Sequence, residues 1–167
     1  MRRRLLFALP LLACVFAAPR AAGQRALPLT RAERTEFRET SRYADVVAFL
    51  DTVGRASPRI HLTTFGYSWE GRALPLAVAG AVADASPRAV RASGKTVVYL
   101  QGDIHAGEVE GKEALQEILR EVAQGRHAAW MESLVLLVAP VFNVDGNERI
   151  ALGNRPGQNG PVGENTA

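Results

Sequence analysis

The sequence has 167 residues, with 20 basic and 17 acidic side chains and a formal net charge of +3. Four of the basic residues and no acidic residue precede position 24, so the rest of the chain has 16 basic and 17 acidic side chains, a net charge of −1. The basic balance of the whole chain is therefore no indication of nucleic-acid binding.

The first 23 residues have the three parts of a secretory signal peptide. Arginines at positions 2–4 are followed by an apolar run over residues 5–18 and by small residues at 21–23. We expect this segment to be removed and the protein to be secreted or periplasmic. The only cysteine, Cys14, lies in this segment, so the mature protein has no disulfide and no thiolate metal site.

A second interpretation of the same segment is a lipoprotein anchor at Cys14. Residues 11–14 resemble a lipoprotein cleavage box, but the apolar run continues after the cysteine, whereas a cleaved lipoprotein usually begins with a polar tether. In both interpretations no transmembrane span is expected, because no apolar run of 18 residues follows.

Residues 24–40 are polar and charged, which predicts an exposed N-terminal arm, and residues 41–167 predict one domain of helices and strands. A first helix is expected over Tyr43–Val53, where apolar residues repeat at helical spacing. Apolar runs bounded by turn residues then predict the other elements. These are strands at 60–65 and 74–79, separated by a polar turn at 68–72, a strand at 96–101, a helix at about 107–123, and a strand at 134–141.

This alternation of strands and helices predicts an α/β fold with a mixed, mainly parallel sheet flanked by helices. The charged side chains of the second helix are expected to form a solvated face; its glutamates are Glu110, Glu113, Glu117 and Glu121.

After the last predicted strand, the chain ends in a long polar stretch at 153–167 without a closing element. Such loops are uncommon in compact domains, so we expect the sequence to be part of a longer protein. The alternative is a natural C-terminus without fixed structure.

A candidate metal site follows the strand at 96–101. His105 and Glu108 lie three residues apart where this strand gives way to a helix, and residues at i and i+3 share one side of a helical turn. Zinc is bound by imidazole nitrogen and carboxylate oxygen at about 2.0–2.2 Å. The spacing alone is weak evidence, but its position at the carboxyl end of a buried strand favours a Zn2+ site, because open α/β sheets usually place their sites there.

A second candidate follows the strand at 134–141 and comprises residues 143–146. Asn, Asp and Gly are the usual turn residues, so the pattern alone favours a plain turn. If both strands belong to one sheet, however, Asn143 and Asp145 would reach the same rim as His105 and could orient a metal ligand or a substrate. The other two histidines, His61 and His127, are expected to be structural.

Three sequence blocks stand in a fixed order: Phe65–Leu76, Gly102–Glu108 and Asn143–Arg149. Together they resemble the N-terminal half of the zinc carboxypeptidase family, the carboxypeptidase A type of metallopeptidase. The resemblance implies that residues 41–167 are the N-terminal part of a zinc carboxypeptidase-like catalytic domain. It also implies Zn2+ as the cofactor and hydrolysis of peptide bonds by a metal-activated water.

The resemblance assigns roles to individual residues. The family's His-x-x-Glu ligand pair falls on His105 and Glu108, and its Asn-Pro-Asp-Gly turn falls on residues 143–146, with Val144 in place of proline. The arginine that polarises the scissile carbonyl is assigned to Arg155, or otherwise to a residue beyond the end of this sequence. The third zinc ligand, the general-base glutamate and the substrate tyrosine belong to a later half, so the chain alone is expected to be inactive.

The expected function is therefore that of a secreted zinc metallocarboxypeptidase acting on peptide or protein substrates. Gly107 stands where the digestive enzymes carry a substrate-binding arginine, so their preference for peptide C-termini is not implied. Two alternatives keep the fold and the zinc: an amidase for cell-wall peptides and a deacylase for N-acyl amino acids. A third alternative is a binding module without catalysis.

Overall fold

The computed structural model describes residues 27–151; the predicted signal segment, Cys14 and Arg155 lie outside them. None of the helices in this part is both long and apolar enough to cross a bilayer. In chain order the elements are α1 (Arg31–Arg34), α2 (Tyr43–Ala56), β1 (Ile60–Tyr67), β2 (Ala73–Ala79), α3 (Pro87–Ala92), β3 (Thr96–Gln101), α4 (Val109–Ala123), α5 (Ala128–Ser133), β4 (Leu134–Ala139) and α6 (Val144–Glu148).

The long helices and all four predicted strands are confirmed. The strand predicted to reach position 141 ends at Ala139, because Pro140 has no backbone N–H to continue the ladder. The four short helices α1, α3, α5 and α6 were not predicted. Each has only four to six residues, too few for an apolar periodicity to be recognised.

The strands form one sheet in the order β1-β2-β4-β3, which confirms the mixed α/β architecture. The prediction of mainly parallel pairing was wrong for the described strands. β1 with β2 and β2 with β4 are antiparallel, and only β3 with β4 is parallel. The turn between β1 and β2 spans only residues 68–72, and so short a connection can join antiparallel strands only. A parallel pair needs a longer crossover, which α4 provides between β3 and β4.

Helices α2 and α4 cover one face of the sheet and bury the main hydrophobic core with it. A smaller apolar cluster lies on the opposite face beneath α3. The parallel ladder pairs Gln101 with Ala139, so β3 and β4 end side by side. It continues into the following loops, where Phe142 N donates to Gly102 O (3.0 Å) and Asn143 N to Asp103 O (2.8 Å). The fold therefore joins the loops that carry both predicted site motifs.

The described part of the predicted exposed arm is exposed only in places: Phe37 is 77% exposed, but Thr30 is buried, and Pro28 and Glu33 contact α4. The Arg120 guanidinium donates to both Glu33 carboxylate oxygens, at 2.5 and 2.6 Å, and to Pro28 O at 3.2 Å. Thr30 caps α1 by accepting from Glu33 N, and Thr30 N donates back to the Glu33 carboxylate. Polar side chains of this segment therefore form hydrogen bonds with residues distant in the sequence instead of facing only solvent.

Glu113 of α4 provides a second anchor for this segment. It was expected on a solvated face, but it is buried. Its carboxylate accepts from Thr40 Oγ1 (2.8 Å), Ser41 N (2.6 Å) and Ser41 Oγ (2.9 Å). A buried carboxylate is tolerated when hydrogen bonds replace its hydration. Glu113 thus joins the start of α2 to the N-terminal part of α4, next to the predicted metal ligands.

The docking of the N-terminal segment should make stability sensitive to acid. The hydrogen bonds from Arg120, above all, lower the pKa of Glu33 from its ordinary 4.5. A carboxylate with a lowered folded-state pKa stabilises the fold above its unfolded-state pKa, and this contribution is lost as the pH falls through the folded-state value. We expect the free energy of unfolding to decrease below about pH 4.5, and the decrease to be smaller in Arg120→Met. Denaturant unfolding across this range measures both profiles, and parallel profiles would contradict the assignment.

Candidate metal centre

The predicted ligand pair is brought together at the carboxyl end of β3. His105 Nδ1 lies 2.8 Å from Glu108 Oε1, and His105 N donates to Glu108 Oε2 at 3.2 Å. Both residues lie in the turn before α4 rather than within a helix. Gly107, between them, has φ +82°, a conformation that glycine adopts readily and that interrupts a regular helix.

The geometry of this pair fits a divalent cation with nitrogen and oxygen ligands. Two ligand atoms at about 2.1 Å from a tetrahedral zinc are roughly 3.4 Å apart, so the 2.8 Å between His105 Nδ1 and Glu108 Oε1 needs only a small opening. The His105 side chain is 63% exposed, which leaves it accessible to an ion. No group of three potential ligands converges within residues 27–151, whereas catalytic zinc sites use three protein ligands.

Asp103 lies two residues before His105 and was not predicted as a site residue. It is buried, its φ is +51°, and neither carboxylate oxygen has a hydrogen bond within the described residues. Burial raises its pKa to about 6, against the opposing effect of the Lys112 ammonium. The signal in the sequence was an acidic residue just after a predicted strand. That strand, β3, was expected to be buried, but it lies at the edge of the described sheet and is largely exposed.

The backbone of Asn143 contacts the loop that carries His105. Its N–H donates to Asp103 O (2.8 Å), and its side chain caps α6 by accepting from Gly146 N at 2.9 Å. The turn predicted from residues 143–146 is therefore a helix start. It places Asn143 beside the loop that carries His105, while the amide oxygen is occupied by the cap.

Asp145 is directed to the turn between β1 and β2 rather than to His105. Its carboxylate accepts from Ser68 Oγ (2.8 Å), Glu70 N (3.0 Å) and Arg72 Nη1 (2.6 Å). Burial opposes ionisation of this group, but the three hydrogen bonds together outweigh it and lower the pKa of Asp145. Glu70 in turn accepts from Arg72 at 2.6 Å and contacts Arg149. Asp145 thereby fixes the turn against α6.

Removing this carboxylate should loosen the turn at residues 68–72. We expect Asp145→Ala to increase amide hydrogen exchange there by about tenfold, because three hydrogen bonds are lost together. Hydrogen exchange followed by mass spectrometry measures the effect. Asp51→Ala is the control, since Asp51 pairs only with Arg55, at 3.9 Å, among the ion pairs of residues 27–151. Unchanged protection of residues 68–72 would contradict this role of Asp145.

The other two histidines contact groups away from His105. His61 Nε2 lies 3.0 Å from Val82 O, and His127 Nε2 lies 2.6 Å from Glu121 Oε2, with its ring stacked on Trp130. Neither belongs to the ligand pair, as the sequence predicted. Arg155 is not among the described residues, so its assignment stays a prediction.

Comparison with known proteins gives one family match. Residues 46–162 match the family model described as zinc carboxypeptidase. No significant match is found among curated proteins.

Similar solved structures include carboxypeptidase A from Helicoverpa armigera, with 18% identity, a TM-score of 0.55, and coverage of 70% of this chain and 30% of that one. Bovine thrombin-activatable fibrinolysis inhibitor, in complex with tick carboxypeptidase inhibitor, has 16% identity, a TM-score of 0.53, and coverage of 65% and 32%. A metallo-carboxypeptidase from Burkholderia cenocepacia has 21% identity, a TM-score of 0.52, and coverage of 64% and 28%. At these identities the likeness shows the fold, and the matched region spans about a third of the length of these chains.

Proposed function

Since the chain belongs to the zinc carboxypeptidase family, we propose that it is the N-terminal part of a secreted zinc metallocarboxypeptidase that hydrolyses peptide bonds. The observation that carries the proposal is the approach of His105 Nδ1 and Glu108 Oε1 to 2.8 Å at the carboxyl end of β3. This approach supports their role as two zinc ligands. The third ligand and the general base are proposed to lie outside this sequence.

His105 and Glu108 would hold Zn2+, and the remaining residues would orient the site. Bound zinc lowers the pKa of a coordinated water to about 7 and polarises a carbonyl oxygen. Asn143, hydrogen-bonded through its N–H to the ligand loop, would keep the β4 loop beside the metal ligands. Asp145 would support the substrate side of the rim by holding the turn at 68–72. Arg155 is proposed to polarise the scissile carbonyl.

A second candidate function is supported by the conformation of Gly107. At φ +82° an arginine would be strained, so the position does not suit the substrate-binding arginine of the digestive enzymes. An amidase for cell-wall peptides or a deacylase for N-acyl amino acids needs the same zinc chemistry without that contact. We therefore keep these activities as the alternative within the same fold.

The proposal is tested on the full-length protein with a panel of blocked dipeptides, muropeptides and N-acyl amino acids. We expect hydrolysis of a blocked dipeptide to fall at least about a hundredfold after removal of metal with a chelator, and to return when Zn2+ is added. Hydrolysis that survives complete metal removal would contradict the metallopeptidase proposal. Turnover of muropeptides or acyl amino acids alone would select the second candidate.

The 167-residue chain provides a separate test of the incomplete ligand set. With two ligands and no general base, we expect it to bind Zn2+ weakly and to hydrolyse none of these substrates. Robust turnover of a blocked dipeptide by this chain alone would show that its site is complete. It would contradict the proposal that the third ligand and the general base lie outside this sequence.

A further inference from the structure

Lys112, on the first turn of α4, is an unusual residue for its environment. It is only 1% exposed, whereas lysine is almost never fully buried unless it is paired. Its ammonium donates to Asn147 Oδ1 on α6. Burial lowers the pKa of Lys112, while nearby carboxylates oppose this effect. A buried ammonium reduces stability unless other polar groups replace its hydration, so the partners of Lys112 determine its role.

The groups around this ammonium form a buried polar cluster. The charged groups that face it within the described residues are Asp103, Glu113, Glu148 and Arg42. Glu113 is already bonded to Thr40 and Ser41, and Glu148 Oε1 accepts from Tyr43 N at 2.8 Å. The ammonium therefore lies where α4, α6 and the start of α2 meet.

The cluster adjoins the start of the loop that carries His105 and Glu108. Gly102, which precedes Asp103, packs so closely that a Cβ there would be 2.9 Å from both Gly111 C and Lys112 N. The same loop receives the hydrogen bond from Asn143 N, at the start of α6. The Lys112 contact with Asn147 is therefore a side-chain link between the helix that follows Glu108 and the helix that follows Asn143.

We propose that Lys112 is a positioning residue that holds the first turn of α4 against α6 and so keeps His105 and Glu108 directed at one cation. The inference rests on the proposed zinc site, but it concerns a residue that does not touch the metal. Outer residues that orient metal ligands typically alter metal affinity by 10- to 100-fold when they are replaced.

The test compares zinc affinity in the full-length protein and in three variants, with Zn2+ alone as the probe and a competing chelator as the reporter. We expect Lys112→Met to weaken zinc binding about tenfold or more, and Lys112→Arg, which keeps the cation, to weaken it less. The metal-free Lys112→Met protein should have a lower unfolding midpoint, because the buried Asp103 carboxylate loses its nearby cation and Asn147 Oδ1 loses its donor. Zinc affinity is therefore compared at a temperature at which each variant is folded.

The variant Asn147→Ala removes the same link from α6 and covers the case in which Lys112→Met does not fold. It too should weaken zinc binding about tenfold. Wild-type zinc affinity in either folded variant would overturn the positioning role of Lys112, while the proposed function would stand. Absence of zinc binding by the unaltered full-length protein would instead overturn the proposed function.

Discussion

Replacing His105 with alanine is expected to lower kcat/KM of the proposed full-length metallopeptidase for a blocked dipeptide by at least about a thousandfold, roughly 4 kcal/mol of transition-state stabilisation. The imidazole Nδ1 faces Glu108 Oε1 at 2.8 Å, so its removal leaves the carboxylate without its partner ligand. A metal bound by the remaining groups would be held less tightly and would polarise the carbonyl and water less effectively. Steady-state kinetics and the zinc content of the purified variant are the two measurements.

His127→Ala is the matched control for this prediction. His127 contacts Glu121 and Trp130 and lies outside the ligand pair. We expect its kcat/KM and zinc content to stay within about twofold of the unaltered enzyme. A His105→Ala protein that retains full zinc content and more than about a tenth of the activity would remove His105 from the proposed site.

Replacing Gly102 with alanine is expected to destabilise the protein by about 3 kcal/mol, through crowding at the crossing of the β3 loop and α4. The added Cβ would lie 2.7 Å from Pro140 O and 2.9 Å from both Gly111 C and Lys112 N. All three are backbone atoms, so no flexible side chain can move aside. The strand end, the β4 loop or the helix must shift, and each of these holds part of the candidate metal centre.

Gly66→Ala is the matched control, because its Cβ would meet only Leu74 Cδ1, at 3.5 Å, an ordinary contact. We expect it to change the free energy of unfolding by less than about 1 kcal/mol. Urea unfolding of both variants gives the comparison. Equal unfolding free energies would mean that the backbone at Gly102 relaxes easily, contrary to the packing seen here.

The apolar pattern of the sequence was sufficient to locate the sheet and its two covering helices. Periodicity identifies a buried face whatever its partner, so α2, α4 and the strands could be placed without tertiary information. The antiparallel pairing of β1 with β2 could also have been recognised, because the five residues at 68–72 are too few for a crossover. The number of connecting residues was a better guide to strand direction than the alternation of helices and strands.

The ligand pair was predicted from its spacing and block resemblance, and the structure brings its atoms together. The buried charges near it were not predicted, because a sequence pattern does not show which charged residues find partners. Glu113 contacts residues 72 and 73 positions away, and Arg120 contacts Glu33 at a separation of 87. Such partners become visible only when the chain is folded, so the acidic face of α4 and the N-terminal arm were both expected to be solvated.

The attachment of residues 28–41 to α4 has a practical consequence for protein engineering. Removing the residues that precede α2 would leave the Arg120 guanidinium and the Glu113 carboxylate, both mostly enclosed, without their partners. Loss of one member of a fully buried ion pair typically reduces stability by about 3–5 kcal/mol, and the partly buried Arg120–Glu33 pair should cost less. Affinity tags and fusion partners are therefore best attached ahead of Pro28, with the native segment retained as an integral part of the domain.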